Sequence, residues 1–255
     1  MKPTIYKIDT FISETYDGSP AYVIPLDSWL PDVDLLNIAK DNAVPETAFF
    51  IYNENKIQLR WFTPEIEIDL CGHATLATAY VVFSILGYKS KNIIFETMSG
   101  DLKVSIIDDI YYLNFPSRPA KLATLPKQIS MSLNIQPIEV YKSRDYMLIY
   151  NSEEEIRDIV VDPEILDQIS LGYGGVIVTA HSTKVDFVSR YFTPQASILE
   201  DPVTGSAHCS LIPYWSKKLN KKVLEGHQIS SRGGRLLCED LSTRVVIGGQ
   251  ARRFL

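Results

Sequence analysis

The sequence contains 255 residues, of which 45% are hydrophobic and 22% charged, so it is long enough for one large or two modest domains with proper cores. Its formal net charge of −6 opposes binding to nucleic acid or to an anionic membrane, because the electrostatic field has the wrong sign for both. Cys71, Cys209 and Cys238 form no CxxC pair, which indicates neither a disulfide framework nor a metal site and favours a reducing, cytoplasmic location.

The first half of the chain is predicted to be mostly strands. Residues 4–11 mix charged with apolar residues in alternation, which indicates a strand and not a signal peptide. Residues 21–25 are its predicted partner after a turn at 17–20. A helix is predicted over 34–40, with Asp32 or Asp34 as its cap. Further strands are predicted at 45–52, 57–62, 92–96, 102–107 and 111–115.

One helix in this half is apolar nearly all round. It is predicted from Ala74 to Leu86, with Gly87 at its C-terminal end. The run is too short to cross a bilayer and is interrupted by Thr and Ser. Such a helix must be enclosed, and the surrounding predicted strands are the simplest cover. An inner helix wrapped by strands is therefore expected.

The second half follows the same plan. Residues 116–126, with three prolines, form the predicted linker. Strands are predicted at 146–150 and 176–179, and helices at 153–160 and 163–169. A second central helix is predicted over 206–218, with a kink at Pro213. The strand-like tail, 244–255, is expected to complete a sheet.

Matched blocks show that the chain contains a repeat. Arg60-Trp61-Phe62-Thr63-Pro64 recurs as Arg190-Tyr191-Phe192-Thr193-Pro194, and Ser99-Gly100-Asp101-Leu102 recurs as Gly233-Gly234-Arg235-Leu236. A single long repeat favours two homologous half-domains over a solenoid, which needs several shorter repeats. We therefore expect an N-terminal half over residues 1–118, completed by the C-terminal tail, and a C-terminal half over residues 119–255.

Two stretches with a common pattern lie at the starts of the two central helices. Residues 69–79 and 201–211 each place an acidic residue and a glycine turn before small and apolar residues. A helix start offers free N–H groups and about half a positive charge. Each start is therefore a predicted site for an anionic group of a ligand.

These motifs together resemble a known enzyme family. Pro45-Glu46-Thr47-Ala48-Phe49, Leu70-Cys71-Gly72-His73-Ala74-Thr75 and Asp201-Pro202-Val203-Thr204-Gly205-Ser206-Ala207 resemble the phenazine biosynthesis PhzF-like family, relatives of diaminopimelate epimerase. The resemblance covers essentially the whole chain. It implies an α+β fold with two homologous β-barrel-like halves, each wrapped around a central helix, and an active site in the cleft between them. It also implies a cofactor-independent isomerase, a small carboxylate substrate and a homodimer.

The resemblance also implies roles for particular residues. Glu46 matches the family's proton-transferring carboxylate, and His73 and Asp201 match its assisting polar pair. The remaining predicted residues contact the substrate: Ser19, where the family more often has Asn, together with Cys71, Gly72, Gly205 and Ser206. The residues themselves support this interpretation, because a carboxylate beside apolar Ala48 and Phe49 can be shielded from water, which suits a proton shuttle.

Other interpretations of the same residues remain open at this point. Glu46 could be a charged residue at a strand edge, His73 a helix cap and Asp201 a turn residue. A racemase or epimerase is possible if Cys71 is a thiolate at its helix start, although its counterpart in the second half is Thr204, which is no base. The cleft could also belong to a binding protein without catalysis.

Overall fold

The computed structural model describes residues 4–53 and 56–254. Its strands are β1 (Tyr6–Ile12), β2 (Ser19–Leu26), β3 (Glu46–Asn53), β4 (Lys56–Phe62), β5 (Glu67–Ile68), β6 (Asn92–Thr97), β7 (Gly100–Ile107), β8 (Ile110–Pro116), β9 (Lys121–Leu122), β10 (Glu139–Lys142), β11 (Tyr146–Ile149), β12 (Val176–His181), β13 (Phe187–Phe192), β14 (Val223–Gln228), β15 (Gly234–Asp240) and β16 (Arg244–Arg253). Residues 1–3 and 54–55 of the predicted first half, and Leu255 of the predicted tail strand, lie outside the described residues.

The helices are α1 (Asp32–Asn42), α2 (Gly72–Tyr80), α3 (Lys127–Ser132), α4 (Glu153–Asp158), α5 (Pro163–Leu166) and α6 (His208–Leu219). A π-helical turn (Val81–Ile85) continues α2, and a 3₁₀ turn (Gly205–Ala207) precedes α6. In the described residues, no helix combines the length and the apolar character that crossing a bilayer requires.

Eight strands close around helix α2. Their order is β1-β2-β3-β4-β6-β7-β8-β16, and β16 pairs with β1 as well as with β8. Every residue of α2 from Gly72 to Ala79 is buried, as its apolar sequence requires. Strand β8 alternates, so that Tyr111, Leu113 and Phe115 face the core. The predicted helix within strands is confirmed, and the tail strand closes the barrel.

The same sheet continues into the second half. From β16 it runs through β15, β14, β13, β12, β11, β10 and β9, and α6 packs against β14, β15 and β16. This half is barrel-like and open, since no pairing in the described part of the chain joins β9 back to β16. The predicted α+β architecture, with a central helix in each of two homologous halves, is confirmed.

The repeated Arg-aromatic-Phe-Thr-Pro block forms the same ion pair in each half. Arg60 donates to both carboxylate oxygens of Glu67, each over 2.7 Å. Arg190 donates to Glu200 over 2.7 and 2.9 Å. Each guanidinium also stacks on the phenylalanine of its own block, Phe62 or Phe192. The repeat therefore encodes a bidentate pair that fixes the segment leading to each central helix.

The proline inside α6 has a structural explanation. Pro213 has no N–H, so the carbonyl of Cys209 loses its usual partner within the helix. The backbone N–H of Arg118 donates to this carbonyl over 2.8 Å, and Ser210 Oγ donates back to the Arg118 carbonyl over 2.8 Å. The predicted linker is thus joined to α6 at the backbone group that the proline leaves free.

The predicted cap of α1 is wrong. The residue before the helix is Pro31, and no side chain caps the first turn. Asp32 instead accepts a hydrogen bond from Arg60 over 2.8 Å. A long-range ion pair therefore replaces the local cap, although Asp32 and Asp34 still lie in the first turn, where the helix dipole favours negative charge.

Candidate functional site

The starts of the two central helices touch each other. A Cβ added at Gly72 would lie 2.7 Å from the Cα of Gly205, and a Cβ added at Gly205 would lie 2.8 Å from the Cα of Gly72. Carbon atoms in ordinary contact are about 3.5–4.0 Å apart, so only glycine fits at either position. This contact brings together the two helix starts, each of which is predicted to bind an anionic group.

Glu46 and His73 form a close pair beside this contact. Glu46 is the first residue of β3 and His73 the second residue of α2. Glu46 Oε2 and His73 Nε2 lie 2.8 Å apart, with the side chains 13% and 2% exposed. The angles are not those of a hydrogen bond, and both atoms lack a hydrogen-bond partner in the described residues. Each atom can therefore form a hydrogen bond with a further group beside the pair.

Neighbouring groups raise the pKa of His73 well above its ordinary value. Burial acts to lower this pKa, whereas the Cys71 sulfur and the Glu46 carboxylate raise it. Cys71 Sγ lies 3.8 Å from His73 Nδ1. The pKa of the Cys71 thiol is about 11, which favours its neutral form near pH 7. Glu46 is therefore the neighbour whose negative charge favours an imidazolium at His73. The direction of this shift and the 2.8 Å separation favour an imidazolium at His73 facing the Glu46 carboxylate.

The surroundings of Cys71 do not favour the alternative in which it is a thiolate at its helix start. Burial makes the largest contribution and repulsion from Glu46 the next largest, and together they raise the pKa of the Cys71 thiol to about 11. The attraction of His73 and the hydrogen bond from the backbone of Ala74 act in the opposite direction and do not compensate. Desolvation of the charged form therefore outweighs the helix dipole here.

Asp201 approaches the same point from the second half. Its Oδ2 accepts from Thr204 Oγ1 over 2.6 Å, and its Oδ1 accepts from Val203 N over 3.3 Å. Burial raises the pKa of Asp201 to about 6; attraction to His73 lowers it and repulsion from Glu46 raises it. The Asp201 carboxylate therefore interacts electrostatically with both His73 and Glu46 across the cleft. Clustered pKa shifts of this kind are typical of functional sites.

Sequence reasoning missed Gln228, which holds the Asp201 segment in place. Its Oε1 accepts from Thr204 N over 2.8 Å, and its Nε2 donates to the carbonyl of Asp201 over 2.7 Å. Gln228 is only 1% exposed. It is the last residue of β14, on the buried side of the alternating strand. A polar residue at an inward position was the available signal.

A cavity of about 270 Å³ connects these groups. This volume lies just below the range of about 300–1,000 Å³ that is typical of ligand sites. Seven of the eight predicted site residues line the cavity: Glu46, Cys71, Gly72, His73, Asp201, Gly205 and Ser206. The eighth, Ser19, is fully buried outside this lining, and its Oγ has no hydrogen-bond partner in the described residues.

The lining also includes Arg144, which no sequence motif indicated, and Tyr191 of the repeated block. Arg144 and Tyr191 both contact the buried carboxylate of Asp145: Arg144 Nε lies 3.3 Å and Tyr191 Oη 2.9 Å from Asp145 Oδ1. Arg144 Nη2 also donates to Ser206 Oγ over 2.7 Å. Arg144 and Asp145 precede an ordinary apolar strand, so their local sequence does not distinguish them from a charged turn.

Glu46, Cys71 and His73 have the side chains of a possible metal site, with ligand atoms within 4.8 Å of one another. However, Cys71 faces Nδ1 of the imidazole and Glu46 faces Nε2. These nitrogens point to different sides of the ring, so one ion bound to His73 would meet the sulfur or the carboxylate, but not both. The three groups fit a proton-transfer cluster better than a single metal ion.

The chain is similar to known proteins over nearly its whole length. The family model described as "Phenazine biosynthesis-like protein" matches residues 8–254. An "Uncharacterized isomerase" of Pseudomonas aeruginosa is 42% identical over 255 residues, which are 100% of this chain and 98% of that protein. A crystal structure of a PhzF family protein from Enterococcus faecalis has a TM-score of 0.92 at 44% identity, covering 100% of this chain and 98% of that one.

A more distant likeness concerns the fold alone. The crystal structure of a probable proline racemase from Agrobacterium radiobacter has a TM-score of 0.64 at 10% identity, covering 99% of this chain and 91% of that chain. Two half-domains around central helices are therefore common to proteins with very different sequences.

Proposed function

The chain belongs to the phenazine biosynthesis-like protein family and is an isomerase, and from this premise we propose that it moves a proton between two carbons of a small carboxylate-bearing substrate. Glu46 is the acid and base of this reaction, and the active site is the cleft between the halves. The observation that carries the proposal is the Glu46–His73 pair, 2.8 Å apart, buried and without an aligned hydrogen bond.

The proton shift needs no oxidant and no leaving group. Glu46 takes a proton from an activated carbon, and the electron pair of that C–H bond enters the adjacent π system. Glu46 then returns the proton to another carbon of the same π system, where the new C–H bond forms. Because its pKa is raised, the His73 imidazole carries a positive charge beside the Glu46 carboxylate. This charge stabilises the negative charge that develops on the substrate.

The helix starts and Asp201 complete the proposed mechanism. Gly72 and Gly205 line the cavity, and N–H groups at helix starts favour a substrate carboxylate and the charge that develops beside it. Asp201, held by Thr204 and Gln228, orients the substrate from the opposite half and shares protons with the pair. No cofactor enters this scheme, because the base and the charged groups all belong to the chain.

A two-base racemase is less well supported. It would need a base at each helix start, and the pKa of about 11 for Cys71 makes the thiol a poor one near neutral pH. Its counterpart, Thr204, donates its hydroxyl proton to Asp201. We expect Cys71→Ser to keep most of the activity. A loss as large as that of Glu46→Gln would favour the racemase.

The test is deuterium incorporation in D₂O, followed by proton NMR over a library of small unsaturated carboxylates. Wild type, Glu46→Gln and Glu65→Gln are compared. Glu65 is the matched control, because it lines the same cavity and contacts Ser197 N at 3.4 Å, away from His73. The expected result is exchange with wild type and with Glu65→Gln, and a loss of at least about 100-fold with Glu46→Gln.

Exchange that persists in Glu46→Gln would refute the role of Glu46. If Glu46→Gln and Glu65→Gln lose exchange to the same extent, the negative charge of the cavity is required, and Glu46 is not shown to be the base. A substrate that takes up deuterium only in the presence of wild type or the control also identifies the acidic carbon, since only the carbon that loses its proton and the carbon that receives one are labelled.

A further inference from the structure

The cavity carries an unbalanced set of charges. Its described lining has two groups that can be cationic, the Arg144 guanidinium and the His73 imidazole, and four carboxylates: Glu46, Glu65, Asp69 and Asp201. His73 is paired with Glu46 within the cavity, whereas Arg144 is paired with Asp145, which lies outside the lining. An anionic substrate is repelled by the carboxylates, so its negative group is favoured where the guanidinium lies. We infer that Arg144 binds the carboxylate of the substrate at the start of α6, an inference that rests on the function proposed above.

The guanidinium of Arg144 has donors left for a ligand. Nη2 donates one hydrogen to Ser206 Oγ, and Nε donates to Asp145 Oδ1. Nη1 lies 3.9 Å from Asp69 Oδ1, which is beyond hydrogen-bond distance. The side chain is 17% exposed, and it lines the cavity. The remaining N–H groups of Nη1 and Nη2 can therefore form the paired hydrogen bonds that a carboxylate accepts.

Asp145 prepares Arg144 for this role. Asp145 is 2% exposed, and its Oδ1 also accepts from Tyr191 Oη over 2.9 Å and from Gly175 N over 3.0 Å. The oxygen that holds Arg144 Nε is thus fixed by donors from two other segments. A guanidinium already held in position loses little freedom when it binds an anion, which increases affinity.

The two helix starts therefore have different tasks, although the repeat relates them. The α2 start carries Glu46 and His73 beside it, and the α6 start carries Ser206 and Arg144. Because the starts touch at Gly72 and Gly205, a carboxylate on Arg144 lies close to the Glu46 pair. The inferred substrate is a small acid that must carry a carboxylate to bind. The carbon that gives up its proton lies only a few bonds from this carboxylate.

Ligand-observed NMR titrations test this inference without requiring turnover. The probes are matched pairs of acid and amide: crotonate with crotonamide, and benzoate with benzamide. The proteins are wild type, Arg144→Gln, Arg144→Lys and Arg118→Gln. Arg118 is the matched control, because it lies 3.6 Å from the other oxygen of Asp69 and outside the cavity lining. A thermal melt of each variant establishes that it is folded.

We expect wild type and Arg118→Gln to bind the carboxylates in clear preference to the amides. Arg144→Gln should weaken carboxylate binding by roughly 10- to 100-fold, the effect of losing hydrogen bonds to a charged group, and should remove the preference. Arg144→Lys should recover only part of the affinity, because an ammonium cannot reproduce the fork. If Arg144→Gln does not fold, Arg144→Lys tests the inference in its place. Reduced carboxylate affinity in Arg144→Lys would then support binding by Arg144, and unchanged affinity would contradict it.

Equal binding of acids and amides by wild type, no binding of the acids, or unchanged binding in Arg144→Gln would overturn the inference. Glu46→Gln separates this outcome from the proposed proton shift. It should still bind the carboxylates and lose only deuterium exchange. Carboxylate affinity that is independent of Arg144, together with exchange that depends on Glu46, would refute the inference and leave the proposed function in place.

Discussion

Replacing Gly72 by Ala should separate the two central helices at the active site. The new Cβ would lie 2.7 Å from the Cα of Gly205, whereas carbon atoms in contact need about 3.5–4.0 Å. The helix starts must therefore move apart by about 1 Å. The backbone of Gly72 itself accepts Ala, since its φ lies outside the left-handed region, so the contact is the cause of the predicted effect.

A displacement of about 1 Å in a catalytic arrangement can reduce the rate by roughly 100-fold. We expect this loss in kcat/KM for Gly72→Ala, because Glu46 and His73 lie beside one helix start and Asp201 precedes the other. Overpacking should also lower the free energy of unfolding by about 1–3 kcal/mol. Deuterium exchange measures the first effect and urea unfolding the second.

Gly100→Ala is the matched control. Gly100 has a φ of +86° and open space around its Cα, so Ala there causes backbone strain without a clash near the site. It should lose about 1 kcal/mol of stability and keep its activity. Gly205→Ala should behave like Gly72→Ala, and the double variant should lose less than the sum, since one separation relieves both clashes. A folded Gly72→Ala protein with activity within about threefold of wild type would refute this reasoning.

Three further predictions concern buried polar groups. With a pKa of about 6 for Asp201, kcat/KM should fall about tenfold per pH unit below pH 6 as the carboxylate is protonated, and Asp201→Asn should remove that inflection. Burial lowers the pKa of His208 from 6.5 to about 4, so the unfolded chain takes up this proton first. Stability should fall as the pH drops from 6.5 to 4, by about 3 kcal/mol from this group. Thermal melts of wild type and His208→Gln should differ in slope across that window, and parallel curves would contradict the assignment. Gln228→Leu leaves Thr204 N and the Asp201 carbonyl without partners, which should cost about 2–4 kcal/mol in urea unfolding and reduce activity; an unchanged midpoint would show that other groups hold this segment.

Local patterns predicted much of the fold and most of the candidate site. Residues 111–115 alternate in the sequence and in β8, and the apolar helix from Ala74 is enclosed as predicted. The repeated block became the same ion pair twice, at Arg60 and Arg190. The motifs also placed Glu46, His73 and Asp201 around one cavity. The strands and helices depend on short-range periodicity, and the site residues depend on motifs that occur in the same order in the resembled family.

Contacts between distant segments could not be predicted in this way. Asp32 pairs with Arg60 and does not cap its own helix. The carbonyl that Pro213 leaves free is bound by Arg118, from a segment that the sequence marked only as a linker. Ser19, which the family motif placed at the substrate, is buried outside the cavity lining. For Asp32 and for the Cys209 carbonyl, a partner far away in the chain decided the outcome.

The amino-acid sequence by itself determined the two-fold plan and the buried central helices, because these follow from periodicity and repetition, and its resemblance to a known family singled out Glu46, His73 and Asp201. Only the tertiary structure showed which surroundings shift the pKa values and how the two helix starts differ. Burial and the approach of Glu46 keep Cys71 neutral and favour a protonated His73. Close packing of Gly72 on Gly205 brings the halves together, and Asp145 directs Arg144 into the cavity. Solvation and Coulomb energies depend on distances across the cleft, and those distances exist only after both halves have folded.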